Sequence, residues 1–139
     1  MFAHVSVLGW VLGGLSAIVV GIIWYSPFLF GPAWGKALGV TEKEMAKDRA
    51  KVMPVLLLVS FLTAYVLSLF TVYFQHFTND SWIMSGFDTA LLAWAGLAGT
   101  ALVAHDVFDP RPKSKLYINL GNRLLTLVVM GLIVGAFLK

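Results

Sequence analysis

The sequence predicts an all-α membrane protein, a bundle of four transmembrane helices that forms one domain over residues 1–139. Three observations lead to this fold class. Hydrophobic residues make up 59% of the chain and charged residues only 12%, whereas a typical soluble domain is about 25% charged. Four apolar runs are long enough to cross the roughly 30 Å of hydrocarbon in a bilayer. Lysine and arginine are concentrated in two of the three loops that connect these runs.

Continuous apolar runs of this length predict helices, because a helix satisfies its own backbone hydrogen bonds in lipid. The first and second runs carry no charge, and the third has Asp88 near its start. The fourth run is interrupted by Arg123 and two asparagines. The predicted spans cover residues 5–25, 52–74, 83–104 and 116–138.

The distribution of basic residues predicts which way the spans run. Loops rich in lysine and arginine stay on the cytoplasmic side of the membrane. The loop from 75 to 82 has no basic residue, whereas the first and third loops hold eight between them. We therefore expect both termini on the non-cytoplasmic side. The eight cytoplasmic residues are Lys36, Lys43, Lys47, Arg49, Lys51, Arg111, Lys113 and Lys115.

The first loop carries local signals of its own. Thr41 followed three residues later by Glu44 is a capping-box pattern, which predicts a short cytoplasmic helix over residues 42–51 that leads into span two. Pro54 is expected at the start of span two, where the first-turn N–H groups lack partners in any case. Gly31 and Gly35 are expected to allow tight turns after span one.

Small residues at a spacing of four predict close helix packing. Lipid tails are as apolar as leucine, so helices in a membrane associate through close contact rather than through expulsion from water. Two readings remain open, packing within the chain and a seam between copies of it. Span one carries the longest ridge and span four a shorter one: Gly9, Gly13, Ala17 and Gly21, then Gly131 and Gly135.

A polar stripe lies in the cytoplasmic half of span four. Asn119, Asn122, Arg123 and Thr126 share one helical face by their spacing. Arginine in hydrocarbon costs about 2.5–3.5 kcal/mol on insertion scales, so it usually faces the bundle or reaches the surface. One reading is a buried polar clamp, with the carboxylates that follow span three as the nearest partners. The other is a site for an anion, a substrate or a lipid headgroup.

Two segments together resemble the bacterial membrane family catalogued as domain of unknown function 1761. One is the run from Trp24 to Trp34, with the pattern W-Y-S-P-x-x-F-G-x-x-W, and the other spans residues 109–121. The resemblance implies four spans and no particular activity. Pro27 would end span one. The aromatics Trp24, Tyr25, Phe30 and Trp34 then anchor the chain at the interface, or line a groove for lipid, quinone or a partner helix.

Several function classes find no support in the sequence. There is no cysteine, and neither hydrolase, P-loop nor dinucleotide motifs occur. His4, His76 and Asp80 lack metal-ligand spacing. Basic residues without interleaved aromatics do not indicate nucleic-acid binding. We therefore expect no catalysis, metal or cofactor.

The function expected from the sequence is association in the bacterial inner membrane. The partners would be the lipid bilayer and other membrane-protein subunits or further copies of the chain, with the protein acting as an accessory or assembly subunit. The alternative is a small oligomeric transporter or channel that uses the stripe Asn119, Asn122 and Arg123. A membrane enzyme or cofactor carrier is a third hypothesis, motivated only by the inner aromatics with Arg111 and Arg123.

Overall fold

The computed structural model describes residues 5–138, and all regular structure within them is helical. Four helical stretches are long and apolar enough to span a bilayer, which confirms the predicted fold class. The chain is therefore a multi-pass membrane protein. The helices are α1 (Val7–Trp24), α2 (Gly31–Leu38), α3 (Glu42–Thr78), α4 (Trp82–Ala93), a π-helix (Trp94–Ala98), α5 (Gly99–Asp106) and α6 (Ser114–Phe137). The end of the bundle where α1 finishes and α6 begins is called the inner end, in keeping with the predicted orientation.

The first loop differs from its prediction. Its separate short helix is α2, which begins at Gly31. Gly31 closes the turn before this helix, whereas Gly35 lies within the helix and serves no turn. The predicted helix 42–51 exists but continues without a break into span two, and α3 is 37 residues long. The capping box is confirmed, because the Thr41 and Glu44 side chains each bond the other's backbone N–H.

Pro54 lies inside α3 rather than at its start. The expected explanation, that first-turn N–H groups lack partners, was therefore wrong, since the helix begins twelve residues earlier at Glu42. Proline in a helix interior removes one backbone hydrogen bond and crowds the preceding turn. Pro54 is exposed, so this interruption lies on the surface of the bundle and not in its core.

The third span contains a π-helix that no sequence pattern predicted. The Gly99 N–H donates to the Trp94 carbonyl, five residues back, which is the defining bond of a π-helix. A Cβ at position 99 would lie 2.8 Å from that carbonyl oxygen. Glycine therefore allows the close backbone approach that the wider turn requires.

Helix α6 is the centre of the packing. It packs against α1 and α4, while α3 completes a four-membered ring by contacting α1 and α4. The closest approach joins α4 to α6, where Gly86 lies directly against Gly131 and the Trp82 carbonyl lies against Gly135. The buried core combines small and medium side chains: Ala64, Leu67, Ala90, Leu127, Met130 and Val134.

Only the outer part of the small-residue ridge on span one packs against other helices of the chain. A Cβ at Gly9 would lie 2.9 Å from Phe137, and one at Gly13 would lie 3.2 Å from Val134. Ala17 packs against the core. Gly21 makes no comparable contact, because a Cβ there would meet no atom of the described chain within 4 Å.

The inner half of the bundle is open on one side. Along α3, no residue from 42 to 63 is buried, whereas five between Ala64 and Val72 are. Helix α5 packs on α6 and has no substantial contact with α3. The ring of four helices is thus closed towards the outer end, and α3 diverges from α5 towards the inner end.

We expect Gly131→Ala to lower the free energy of unfolding by about 1–3 kcal/mol, the usual cost of overpacking a tight contact. The added methyl group would be forced against the Gly86 carbonyl and would lie 2.9 Å from Ala90. Denaturation of the protein in detergent micelles measures the effect.

Gly21→Ala is the matched control for this substitution. It makes the same chemical change in open space, so its effect should be neutral or stabilising by up to about 1 kcal/mol. Equal destabilisation by both variants would contradict the packing described between α4 and α6.

Candidate functional site

The segment after α1 folds back on itself at the inner end. Helix α1 ends at Trp24, as Pro27 predicts. The Phe30 N–H then donates to the Trp24 carbonyl at 3.0 Å, and the Gly31 N–H donates to the Ser26 carbonyl at 3.1 Å. A Cβ on Gly31 would lie 2.5 Å from the Tyr25 carbonyl oxygen. Glycine at this position therefore allows α2 to start directly against the end of α1.

Asn119 on α6 joins three helices at this point. Its side-chain oxygen accepts a hydrogen bond from the Tyr25 hydroxyl at 2.7 Å and another from the Trp34 indole N–H at 3.0 Å. Tyr25 follows α1 and Trp34 lies on α2. A single amide oxygen thus satisfies two donors from two different elements.

Trp24 makes a parallel contact with the α6 backbone. Its indole N–H donates to the Ile118 carbonyl at 3.1 Å. A Cβ on Gly121 would lie 2.8 Å from the indole ring, so glycine leaves the room that the ring fills. The Phe30 ring also packs on this indole, with ring centroids 4.4 Å apart. We call Trp24, Tyr25, Phe30, Trp34 and Asn119 the inner aromatic cluster.

These aromatics pack within the chain, and both readings of them, the interface anchor and the ligand groove, remain predictions. The polar atoms of Trp24, Tyr25 and Trp34 turn towards α6 and are used in hydrogen bonds within the chain. Sequence reasoning brought the right residues to one end of the bundle. It missed that Asn119 is the acceptor for two of them.

Arg123 is not buried, so the clamp reading does not hold for this residue, and the reading as an anion, substrate or headgroup site stays open. The side chain is exposed, and within the described residues it makes no hydrogen bond or ion pair. Its guanidinium lies near enough to the Tyr25 phenol for a Coulombic effect. The residues three, four and seven positions later, namely Thr126, Leu127 and Met130, are all buried. Arg123 therefore lies on the inward stripe of α6 at a level where nothing in the described chain covers it.

The other two members of the stripe behave differently from Arg123. Asn119 is engaged in the cluster, as described above. The Nδ2 atom of Asn122 is enclosed and finds no hydrogen-bond partner within residues 5–138. Of the three side chains, only Arg123 is exposed, whereas Asn119 and Asn122 are half-buried.

The carboxylates expected near Arg123 pair with a lysine instead. Lys115 lies 2.6 Å from Asp109 and 3.3 Å from Asp106, and its side chain is only 12% exposed. The Lys115 hydrogen bond, together with the Arg111 N–H, lowers the pKa of Asp109 to about 2. Arg111 itself lies 3.6 Å from Asp109. Arg111, a candidate ligand residue from the sequence, thus belongs to a charged cluster that holds the loop between α5 and α6.

Lys113 caps the end of the third span. Its ammonium donates to the carbonyls of Asp106, Val107 and Asp109 at 3.0–3.3 Å. Lysine near a helix C-terminus commonly binds the last free carbonyls in this way. The sequence signal for the cluster was present, since two aspartates at a spacing of three are followed closely by two lysines.

Two further features bear on ligands. Within the described residues, no group of three or more histidine or acidic side chains is placed to hold a metal ion; His4 lies outside those residues. An apolar groove of about 390 Å³ runs between α3 and the third span. Its lining is almost entirely hydrophobic, with aromatic rings on the α3 side and aliphatic side chains opposite.

Comparison with known proteins gives a match to a protein family. The family model described as "Protein of unknown function (DUF1761)" matches residues 8–135. The match covers nearly all of the four spans and the whole inner aromatic cluster. No curated protein and no solved structure matches the chain.

We expect Asn119→Leu to lower the free energy of unfolding by about 1–3 kcal/mol, because two enclosed donors would lose their acceptor. Thermal unfolding in detergent micelles measures the loss. Tyr25→Phe should recover part of it in the double variant, since the phenol hydroxyl would no longer need a partner.

Asn122→Leu is the matched control on the same helix. Because its Nδ2 has no partner in the described chain, this substitution should be neutral or stabilising. Similar losses for both leucine variants would contradict the role assigned to Asn119.

Proposed function

The chain belongs to the family described as protein of unknown function (DUF1761), and from that premise we propose that it acts without catalysis, by associating with another membrane protein as an accessory or assembly subunit. The family description carries no activity, so the proposal rests on the surface of the bundle. The protein resides, on this proposal, in the inner membrane of a bacterium. The eight basic residues of two loops and the bacterial family resemblance support that location.

The observation that carries the proposal is an uncovered stripe of small residues on the third span. Gly96, Thr100 and Ala104 follow one another at a spacing of four, and all three are exposed. The Thr100 hydroxyl bonds the carbonyls of Gly96 and Leu97, both at 3.0 Å, so it needs no external partner. A small residue at every fourth position lets a second helix approach closely.

Close packing between small residues also holds the helices of the bundle together. Gly86 and Gly131 bring α4 and α6 into backbone contact. A Cβ at Gly96, by contrast, would meet no atom of the described chain within 4 Å. The inner part of the third span therefore carries packing residues that its own bundle does not use. A helix of a partner protein is the occupant that this proposal assigns to them.

The inner aromatic cluster fits a structural part in this scheme. Its indole, phenol and amide groups bond one another and the α6 backbone, so they hold α2 on the inner end. These bonds leave few free polar atoms for a reaction, which supports a role in association.

The alternative function is a small oligomeric transporter or channel that uses Asn119, Asn122 and Arg123. Exposure of Arg123 on the inward stripe favours it. The bonds from Tyr25 and Trp34 to Asn119 weigh against it, because they remove one of the three side chains from any polar path.

Association is tested by mild extraction from native membranes, followed by native electrophoresis and mass spectrometry of the proteins that migrate with the chain. We expect the chain in a stoichiometric complex with another membrane protein. Ala104→Leu should reduce the recovered partner about tenfold or more, since overpacking a helix contact costs about 1–3 kcal/mol.

Ala136→Leu is the matched control. It makes the same change at an exposed position of α6, away from the stripe, and should leave the complex intact. Migration of the unaltered chain alone would contradict the proposed function. Migration as a homo-oligomer would favour the transporter or channel.

A further inference from the structure

Arg123 is a cation with an inward position and no internal partner. The depth of Arg123 along the bundle follows from the contacts of a neighbouring residue on α6. Leu120, one turn earlier, accepts a hydrogen bond from the Trp94 indole at 3.1 Å and lies 3.7 Å from a Cβ built on Gly99. Arg123 therefore lies at the level of the π-helix in the third span, where α3 has already diverged from α5.

The apolar groove ends at the same level. Its walls are α3 on one side and the third span on the other, and Leu97 of the π-helix is its innermost lining residue along that span. Since α5 continues directly from the π-helix, the gap between α3 and α5 extends the groove towards the inner end. The other main lining residues are Phe70, Phe74, Phe77, Leu92 and Ala93.

We propose that this gap binds one phospholipid, with Arg123 on the phosphate and an acyl chain in the groove. Side chains of a helix lean towards its N-terminus, and the N-terminus of α6 is at the inner end. Arg123 therefore points towards the headgroups of the inner leaflet. A guanidinium donates two parallel hydrogen bonds to phosphate oxygens, which makes arginine well suited to this ligand.

Charges within the chain argue against other partners for Arg123. Asp106 and Asp109 are both engaged by Lys115. Asp88, the seventh residue of the third span, lies in the outer half of that span. A second copy in the same orientation would therefore offer no free carboxylate at the depth of Arg123. The phosphate of a lipid with a net negative headgroup supplies that charge, and the basic inner loops attract such lipids.

The lipid site does not rest on the association proposed above, and its readout, the bound lipid, differs from the recovery of a partner protein. It is tested by native mass spectrometry of the purified protein after exchange into detergent with added phosphatidylglycerol. The unaltered protein should retain one lipid. Arg123→Gln should weaken retention about tenfold or more, the loss expected for a charge-assisted hydrogen-bond pair.

Two matched controls separate the site from general effects. Arg49→Gln removes the same charge from the exposed N-terminal part of α3 and should retain the lipid. Ala93→Phe fills the groove and should lower retention, whereas Ala136→Phe on the other face should not. Arg123→Lys preserves the charge and should hold the lipid better than Arg123→Gln.

Three results would overturn the proposal. One is equal lipid retention by Arg123→Gln and the unaltered protein. Another is displacement of the lipid by inorganic phosphate alone, which would make the ligand a free anion. The third is release of a co-purified protein from Arg123→Gln with lipid retention unchanged, which would assign Arg123 to a partner's carboxylate.

Discussion

An indole N–H or a phenol O–H that packs against a helix needs an acceptor there, because the packing separates it from water. The inner end of this protein places three such donors together, the indoles of Trp24 and Trp34 and the phenol of Tyr25. Helix α6 supplies the acceptors, with the Asn119 oxygen for two donors and the Ile118 carbonyl for the third. The turn after α1 and the seating of α2 both follow from this requirement. Asn119 therefore has a structural role, although the sequence grouped it with Arg123 as a candidate ligand residue.

The second constraint is the close approach of helix backbones. Without a hydrophobic force between helices, the bundle depends on places where glycine removes the side chain, and Gly86 with Gly131 is the clearest case. The contacts concentrate towards the outer end, where α6 packs against α1 and α4. Towards the inner end α3 diverges, which leaves Arg123 uncovered and the inner third span with small residues on its surface. The proposed association surface and the proposed lipid site both lie where the ring of helices is open.

Much of this architecture was predictable, because spans are set by length and hydropathy, and each of the four spanning helices overlaps one of the predicted runs. Helix α2 was missed, although Pro32 near its start and Gly39 at its end, with φ of 72°, are standard helix boundary signals. Aromatic residues nearby had been assigned to the membrane interface instead. The π-helix had no such signal, since Gly99 is an ordinary small residue in a membrane helix until its Trp94 contact is known. Periodicity grouped Arg123 with Asn119, Asn122 and Thr126 on one helical face. It could not show that α3 diverges at that level, because divergence depends on tertiary packing.

The role of Asn119 as a shared acceptor is tested most directly by the indole N–H signals of the ¹⁵N-tryptophan-labelled protein in lipid nanodiscs. The chain has five tryptophans, and the Trp34 signal is identified by its loss in Trp34→Phe. In Asn119→Leu, the Trp34 signal should move upfield, as expected on loss of a hydrogen bond. The signal of Trp10, whose indole bonds the Phe61 carbonyl at 2.7 Å, should stay in place. A Trp34 signal that does not respond to Asn119→Leu would contradict the account of the inner end.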